Sequence, residues 1–175
     1  MNRESVEKLL KERILKDSTG RRDICTIYSN AELMESIVNE FVQVYQGKVD
    51  YVAAPESLGF ILGTYLSAAL KVGFIPIRNG EVAVLAQEDA IRAAYIDHRD
   101  LARRLQVRRS NLPKGSRILL VDDWVETGAT LHACRDIIEE AGAYFVGIAA
   151  VGCNRNERTR KMLEDHTLTC ILTIE

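Results

Sequence analysis

Apolar residues in this chain recur at two different spacings, and the switches between them mark out the elements. Val6, Leu9, Leu10 and Ile14 repeat at helical spacing, which predicts an amphipathic helix near the N-terminus. The polar run Asp17 to Arg22 ends it at Gly20, and Ile24 to Tyr28 is a short apolar stretch that the pattern leaves unassigned. Asn30 suits an N-cap; Leu33, Ile37, Val38, Phe41, Val42 and Tyr45 give the face of a second helix, closed by Gly47. Tyr51 to Ala54 reads as a short buried strand followed by the turn Pro55-Glu56-Ser57. Phe60, Ile61, Tyr65, Leu66, Ala69 and Leu70 form a helical face stopped near Gly73, and Phe74 to Ile77 is the next strand.

The same order returns later in the chain. After the turn Pro113-Lys114-Gly115 come a strand at Ile118 to Val121, a helical face of Leu131, Cys134, Ile137 and Ile138, a closing Gly142, and a strand at Phe145 to Val151. A short helix at Thr159 to Leu163 and a strand at Leu168 to Ile174 finish the chain. Repeated strand–helix–strand units predict an α/β fold with a parallel sheet and helices packed on it.

Residues 78–116 break this rhythm. Glu81 to Ala86, Ala93 to Ile96 and Leu105 to Arg109 are candidate strands, but Asp97 to Arg104 is strongly polar. We read this part as an insertion carrying a mobile loop; the alternative is a solvated surface helix.

Length and charge narrow the class. A chain of 175 residues fits a single domain, here 1–175. The formal net charge of −2 argues against a nucleic-acid partner held by bulk electrostatics, although a local basic patch is compatible with it. No apolar run approaches the roughly 18 residues of a membrane span. The charged first residues argue against a secretory signal, so a cytoplasmic protein is expected. Cys25, Cys134, Cys153 and Cys170 form no C-x-x-C pair and read as isolated, reduced core thiols. His98, His132 and His166 lack metal-ligand spacing; the latter two read as surface or helix-end residues.

Chemistry concentrates in Asp122-Asp123-Trp124-Val125-Glu126-Thr127-Gly128-Ala129-Thr130, between a predicted strand and a predicted helix. Ligands of open α/β sheets bind outside the carboxyl ends of the strands. Unpaired N–H groups and the helix dipole attract a phosphate there, and Gly128 lets backbone approach closely. The Thr127 and Thr130 hydroxyls can add hydrogen bonds. The adjacent carboxylates Asp122 and Asp123 suit a sugar diol, and they can also hold a divalent cation.

This run resembles the phosphoribosyl pyrophosphate (PRPP) signature of the type I phosphoribosyltransferases. Further segments resemble the adenine branch of that family. These are Ala54 to Gly63 as a pyrophosphate loop, Gly73 to Arg78 as the following strand, Arg22-Asp23-Ile24 near a base-binding hood, and Leu105 to Arg108 at the end of a flexible loop. The likeness implies a Rossmann-like parallel sheet flanked by helices, with a small hood (about 1–28) and a flexible-loop insertion (about 79–110). It implies transfer of the phosphoribosyl group of PRPP to a purine base, adenine favoured, with release of pyrophosphate. Asp122 and Asp123 would hold the ribose, and Glu126, Thr127, Gly128, Ala129 and Thr130 the 5′-phosphate. Glu56, Ser57, Leu58, Gly59, Arg78, Arg99 and Arg103 would bind pyrophosphate, and Arg22, Asp23 and Ile24 the base. Mg²⁺ would accompany PRPP at Asp122 and Asp123, and a homodimer is expected.

Three positions depart from the adenine pattern. Leu58 stands where those enzymes carry an arginine, which removes a charge-assisted contact to pyrophosphate. Arg78, Arg99, Arg103 and Arg104 are the candidate replacements. Arg21 stands where an aromatic precedes Arg22. Glu126 replaces a small residue, at the place where the hypoxanthine-guanine branch carries an acid near the purine N7. Glu126 is therefore a candidate catalytic acid or base beside Asp122 and Asp123, or else a solvated carboxylate favouring a helix N-terminus. Two other functions fit the same residues: a PRPP- or nucleotide-sensing regulator, and a transferase for a 6-oxopurine or other heterocycle. A phosphoacceptor receiver domain fits poorly, because its acid pair follows the first strand.

Overall fold

Both helical periodicities near the N-terminus become helices that start on an asparagine cap. The computed structural model describes residues 1–16, 22–80, 89–97 and 101–174. Helix α1 (Arg3–Arg13) begins at Asn2, whose side chain accepts the Ser5 N–H, and it buries Val6 and Leu10. Strands β1 (Leu15–Lys16) and β2 (Arg22–Asp23) pair antiparallel, and α2 (Cys25–Tyr28) is a single turn. The apolar stretch left unassigned above is thus helical. Helix α3 (Ala31–Tyr45) is capped by Asn30, which accepts the Leu33 N–H at 3.0 Å. Such caps satisfy N–H groups that the helix itself cannot pair.

The sheet follows. Its strands are β3 (Tyr51–Pro55), β4 (Gly73–Asn79), β5 (Ala90–Ile96), β6 (Ala102–Arg108), β7 (Arg117–Val125), β8 (Tyr144–Asn154) and β9 (Leu168–Ile174). Between them lie α4 (Leu58–Leu70), α5 (Ala129–Glu140) and α6 (Glu157–Glu164). The spatial order is β5-β6-β4-β3-β7-β8-β9. The five strands from β4 to β9 in that order run parallel, and β5 and β6 add an antiparallel hairpin at the β4 edge. The parallel α/β sheet expected from the alternation is the observed architecture.

Strand β7 shows why the apolar run had to be continuous. Leu119 and Val121 face one core, with Leu62, Leu66, Phe41 and the N-terminal helices. Ile118 and Leu120 face the other, with Leu131, Cys134, Ile137 and Ile138 of α5. A strand buried on both faces needs an apolar residue at every position. Phe41 is fully buried, so Phe41→Ala would cost about 3–5 kcal/mol.

Several local expectations are corrected. Asp122, Asp123, Trp124 and Val125 belong to β7 and pair with β8, so only Glu126 to Gly128 form the loop before α5. Helix α4 is ended by Lys71, in the left-handed conformation at φ 59°, and Gly73 is already strand. The polar insertion is neither a surface helix nor an open loop over Ala102 to Arg104: β5 and β6 pair from Ala90–Arg108 to Ile96–Ala102. Leu105 and Val107 turn inward while Arg103 and Arg104 stay exposed, which reconciles the charge with a strand. Cys25 is exposed rather than buried, and the sulfurs of buried Cys153 and Cys170 lie 3.4 Å apart, so those two thiols are neighbours. Arg21, His98, Arg99, the strand expected at Glu81 to Ala86 and residues 17–20 lie outside the described residues. Among the described residues, no helix is long and apolar enough to cross a membrane.

Candidate active site

The carboxyl end of β7, the first turn of α5, the β3–α4 turn and the hood strand β2 enclose a cleft of about 320 Å³. Asp122, Asp123, Trp124, Glu126, Thr127 and Thr130 line it from one side, and Arg22, Glu56, Leu58 and Asp97 close it from the others. A larger groove, about 730 Å³, lies between α5, α6 and β5; it touches Thr127 to Ala129 from behind and contains neither acid. The smaller cleft is the one that gathers Asp122, Asp123 and the start of α5.

Helix α5 opens on Gly128 at φ 74°, which has no side chain to cap it; Thr127 Oγ1 accepts the Ala129 N–H at 3.4 Å. Glycine takes this left-handed conformation without penalty. The open first turn, with its positive dipole end, is suited to an anion. Asp122 accepts the Asp123 N–H at 3.0 Å. Burial pushes the Asp122 carboxyl well above its ordinary range, and the neighbouring Asp123 charge pushes it further. Tyr28 of α2 reaches over from the hood, its hydroxyl 3.5 Å from the Leu58 carbonyl oxygen. Burial, then the charges of Asp123 and Asp122, raise the Tyr28 hydroxyl and keep it protonated.

The β3–α4 turn is pinned by Glu56. Its carboxylate accepts from Arg78 Nε and from the Asn79 N–H, both at 3.0 Å, and these bonds hold it below the usual carboxylate range. The Glu56–Ser57 peptide is cis, Ser57 is exposed, and Gly59 is buried against Asp122. Arg78 is thus tied to the turn itself. Arg103 donates from Nε to Asp97 at 2.8 Å, and Asp97 rather than Arg103 faces the cleft. Of the hood triplet, only Arg22 lines the cleft. Asp23 accepts the Cys25 N–H at 2.9 Å and opens α2, while Ile24 is buried in the core.

Glu126 is held from β8 and the turn after it. Asn154 Nδ2 donates to Glu126 Oε2, and Asn156 Nδ2 donates to the Glu126 carbonyl at 2.7 Å. Asn156 also caps α6 reciprocally with Thr159. Trp124 donates from its indole to Asn154 Oδ1 at 3.0 Å, and Arg22 stacks on its ring at 4.9 Å. Sequence reasoning missed Tyr28, Trp124, Asn154 and Asn156. The available signals were the position of Asn154 at the end of a buried strand and the Asn156-x-x-Thr159 capping pattern.

Residues 26–174 match the family model described as the phosphoribosyl transferase domain. The chain belongs to this family. Among similar proteins, the adenine phosphoribosyltransferase of Leuconostoc citreum is 40% identical over 103 residues, 59% of this chain and 56% of that protein. The adenine phosphoribosyltransferase of Brucella anthropi is 37% identical over 127 residues, 71% of this chain and 67% of that protein. The crystal structure of adenine phosphoribosyltransferase from Rhodothermus marinus superposes with a TM-score of 0.84 at 25% identity, covering 98% of this chain and 99% of that one. The match therefore spans little more than half of the Leuconostoc protein but nearly all of the Rhodothermus structure. The phosphoribosyltransferase fold expected from the Asp122 to Thr130 run is confirmed.

Proposed function

We propose that this chain transfers the 5-phosphoribosyl group of PRPP to adenine, releasing pyrophosphate, in purine salvage. One observation carries the reading. Two adjacent carboxylates at the end of β7 stand beside the helix start at Gly128 in one cleft with the β3–α4 turn. The similarity to adenine phosphoribosyltransferases supports adenine as the base.

On this reading, Asp122 and Asp123 hold the ribose hydroxyls. Thr127, Gly128, Ala129 and Thr130 bind the 5′-phosphate through N–H groups and hydroxyls. The turn from Glu56 to Gly59 receives the pyrophosphate, with Arg78 at its edge. Arg103, on the β5–β6 hairpin, and Arg99 are the further candidates for charge at the leaving group. Arg22 supplies a stacking surface for the base, and Glu126 meets the base edge; Asp23 and Ile24 shape the hood behind Arg22. The residues orient two reactants, exclude water and stabilise charge on the departing group.

Asp122 and Asp123 are two neighbouring oxygen donors, and no group of three or more such side chains gathers among the described residues. This donor set fits a cation that arrives with PRPP and takes its other oxygens from pyrophosphate, ribose and water. Mg²⁺ bound in this way would neutralise charge on the leaving pyrophosphate. The same reading takes the chain as a single cytoplasmic domain acting as a homodimer. Ile61 and Tyr65, exposed on α4, offer apolar surface that a second copy would cover.

Leu58 favours a second reading, a PRPP sensor that binds without transferring. One assay separates the two: pyrophosphate release from PRPP and Mg²⁺ with each purine and pyrimidine base in turn. Release with adenine supports the transferase; binding of PRPP with no release for any base supports the sensor.

A further inference from the structure

The larger groove, between α5 and α6, has no part in the proposed reaction. Its volume, about 730 Å³, is in the range that a nucleotide-sized molecule fills. Both helices start at the carboxyl edge of the sheet, so the groove has a near end at Thr127 to Ala129 and a far end at the starts of β8 and β9. Its charges divide the same way. Arg158, in the first turn of α6, and Lys161, one turn on, stand toward the near end. Asp165, which closes α6, and Asp136, two turns into α5, stand toward the far end. Among the described residues, none of these side chains is in an ion pair, whereas the remaining guanidinium, Arg135, is paired with Glu139 at 2.7 Å. The floor is apolar: Ile148 is buried, and Phe145 and Met162 are half-buried.

We propose that this groove is an effector site for a purine nucleoside monophosphate. Its phosphate meets Arg158 and Lys161, and its base lies on Phe145 and Met162. Arg158 and Asp165 are about 10 Å apart along the helix, at 1.5 Å per residue, which matches the reach from the phosphate to the far edge of the base. Every such nucleotide carries an N–H donor on that edge, at an amino group or at N1, and Asp136 and Asp165 are acceptors there. A bare phosphate would use only the near end. Helices α5 and α6 pack on the face of the sheet opposite α4, so a second copy covering Ile61 and Tyr65 leaves the groove open.

Groove and cleft share one wall. Thr127, Gly128 and Ala129 line both, and Met162 packs so closely behind Gly128 that a Cβ there would lie 2.9 Å from its Cε. The start of α6 is tied to the same loop, since its cap Asn156 donates to the Glu126 carbonyl at 2.7 Å. A phosphate at Arg158 and the 5′-phosphate of PRPP therefore face each other across that loop and repel. Each ligand weakens the other by the same factor. This coupling rests on the reading above that the loop holds the 5′-phosphate.

Calorimetric titration of AMP into the wild-type chain, its cleft filled by PRPP and Mg²⁺, is the test. A further AMP is expected to bind with a Kd of about 10–100 μM. Arg158→Glu/Lys161→Glu is expected to weaken AMP at least about tenfold while PRPP affinity, measured without AMP, stays within about twofold. Ribose 5-phosphate, which lacks the base, is expected to bind at least about tenfold more weakly than AMP. AMP is expected to lower PRPP affinity about three- to tenfold. Equal AMP affinity in the folded double variant overturns the inference, because AMP would then only be displacing PRPP from the cleft. Ribose 5-phosphate binding as tightly as AMP overturns it too. Should that variant fail to fold, Asp136→Asn/Asp165→Asn is expected to weaken AMP about threefold, and an unmoved affinity overturns the inference by itself. A wild type that binds no PRPP overturns the reading of the cleft and the coupling with it. A wild type that binds PRPP but no further AMP overturns this inference alone.

Discussion

Gly59 stands so close to Asp122 that a Cβ built on it would lie 3.2 Å from Asp122 Oδ1 and 3.3 Å from the Val121 carbonyl oxygen. The glycine lets the first turn of α4 approach the end of β7, and so brings the proposed pyrophosphate turn beside the proposed ribose acids. Gly59→Ala would push these two apart by a few tenths of an ångström. We expect KM for PRPP to rise about tenfold, with a stability loss of about 1 kcal/mol. Steady-state kinetics and denaturant unfolding check both.

Asp122 should trade stability for function. Its folded-state pKa is raised, first by burial and then by Asp123, so the folded protein keeps a proton that the unfolded chain releases above about pH 4. That contribution is fully favourable below the unfolded value and is lost as pH rises toward the folded one. Asp122→Asn is expected to raise Tm by about 2–4 °C at pH 7.5 and to flatten this dependence. Asp50 has the opposite sign. Hydrogen bonds from Arg117 lower it to about 2, so its contribution is present above the unfolded value and is lost as pH falls from about 4 toward 2. That pair is exposed, so Asp50→Asn is expected to change Tm little at neutral pH. Melting curves across pH for both variants are the measurement.

Leu58 lines the cleft where the adenine branch carries an arginine, and the nearby Arg78 is bound to Glu56. Leu58→Arg would place an uncommitted guanidinium beside the pyrophosphate turn. The expected result is a fall in KM for PRPP of about three- to tenfold, with pyrophosphate inhibition strengthened in parallel. Unchanged values for both would place the pyrophosphate elsewhere.

Local pattern carried the helices and the buried strands, because Asn30, Gly47 and Gly142 and the apolar periodicities act within one turn or one strand. It failed where a partner far along the chain decides. Charge at Asp122 and Asp123 reads as loop, yet pairing with Ala150 to Cys153 of β8 continues the strand through them. Arg103 and Arg104 look like solvated helix or loop, yet Tyr95 and Ala94 of β5 pair with them in an edge hairpin. The acid-and-glycine run from Asp122 to Thr130 was legible because its chemistry is contiguous. The contacts that join Trp124, Asn154 and Arg22 were not, since they span up to 132 positions and exist only once β2, β7 and β8 are assembled.

Titration of PRPP with Mg²⁺ into the wild-type chain and into Asp122→Asn/Asp123→Asn tests the central claim most directly. The wild type is expected to bind, and the folded double variant to bind at least about a hundredfold more weakly, having lost both carboxylates from the ribose. Equal affinity in the two proteins would contradict the account, because the end of β7 would then not be where the activated sugar is held.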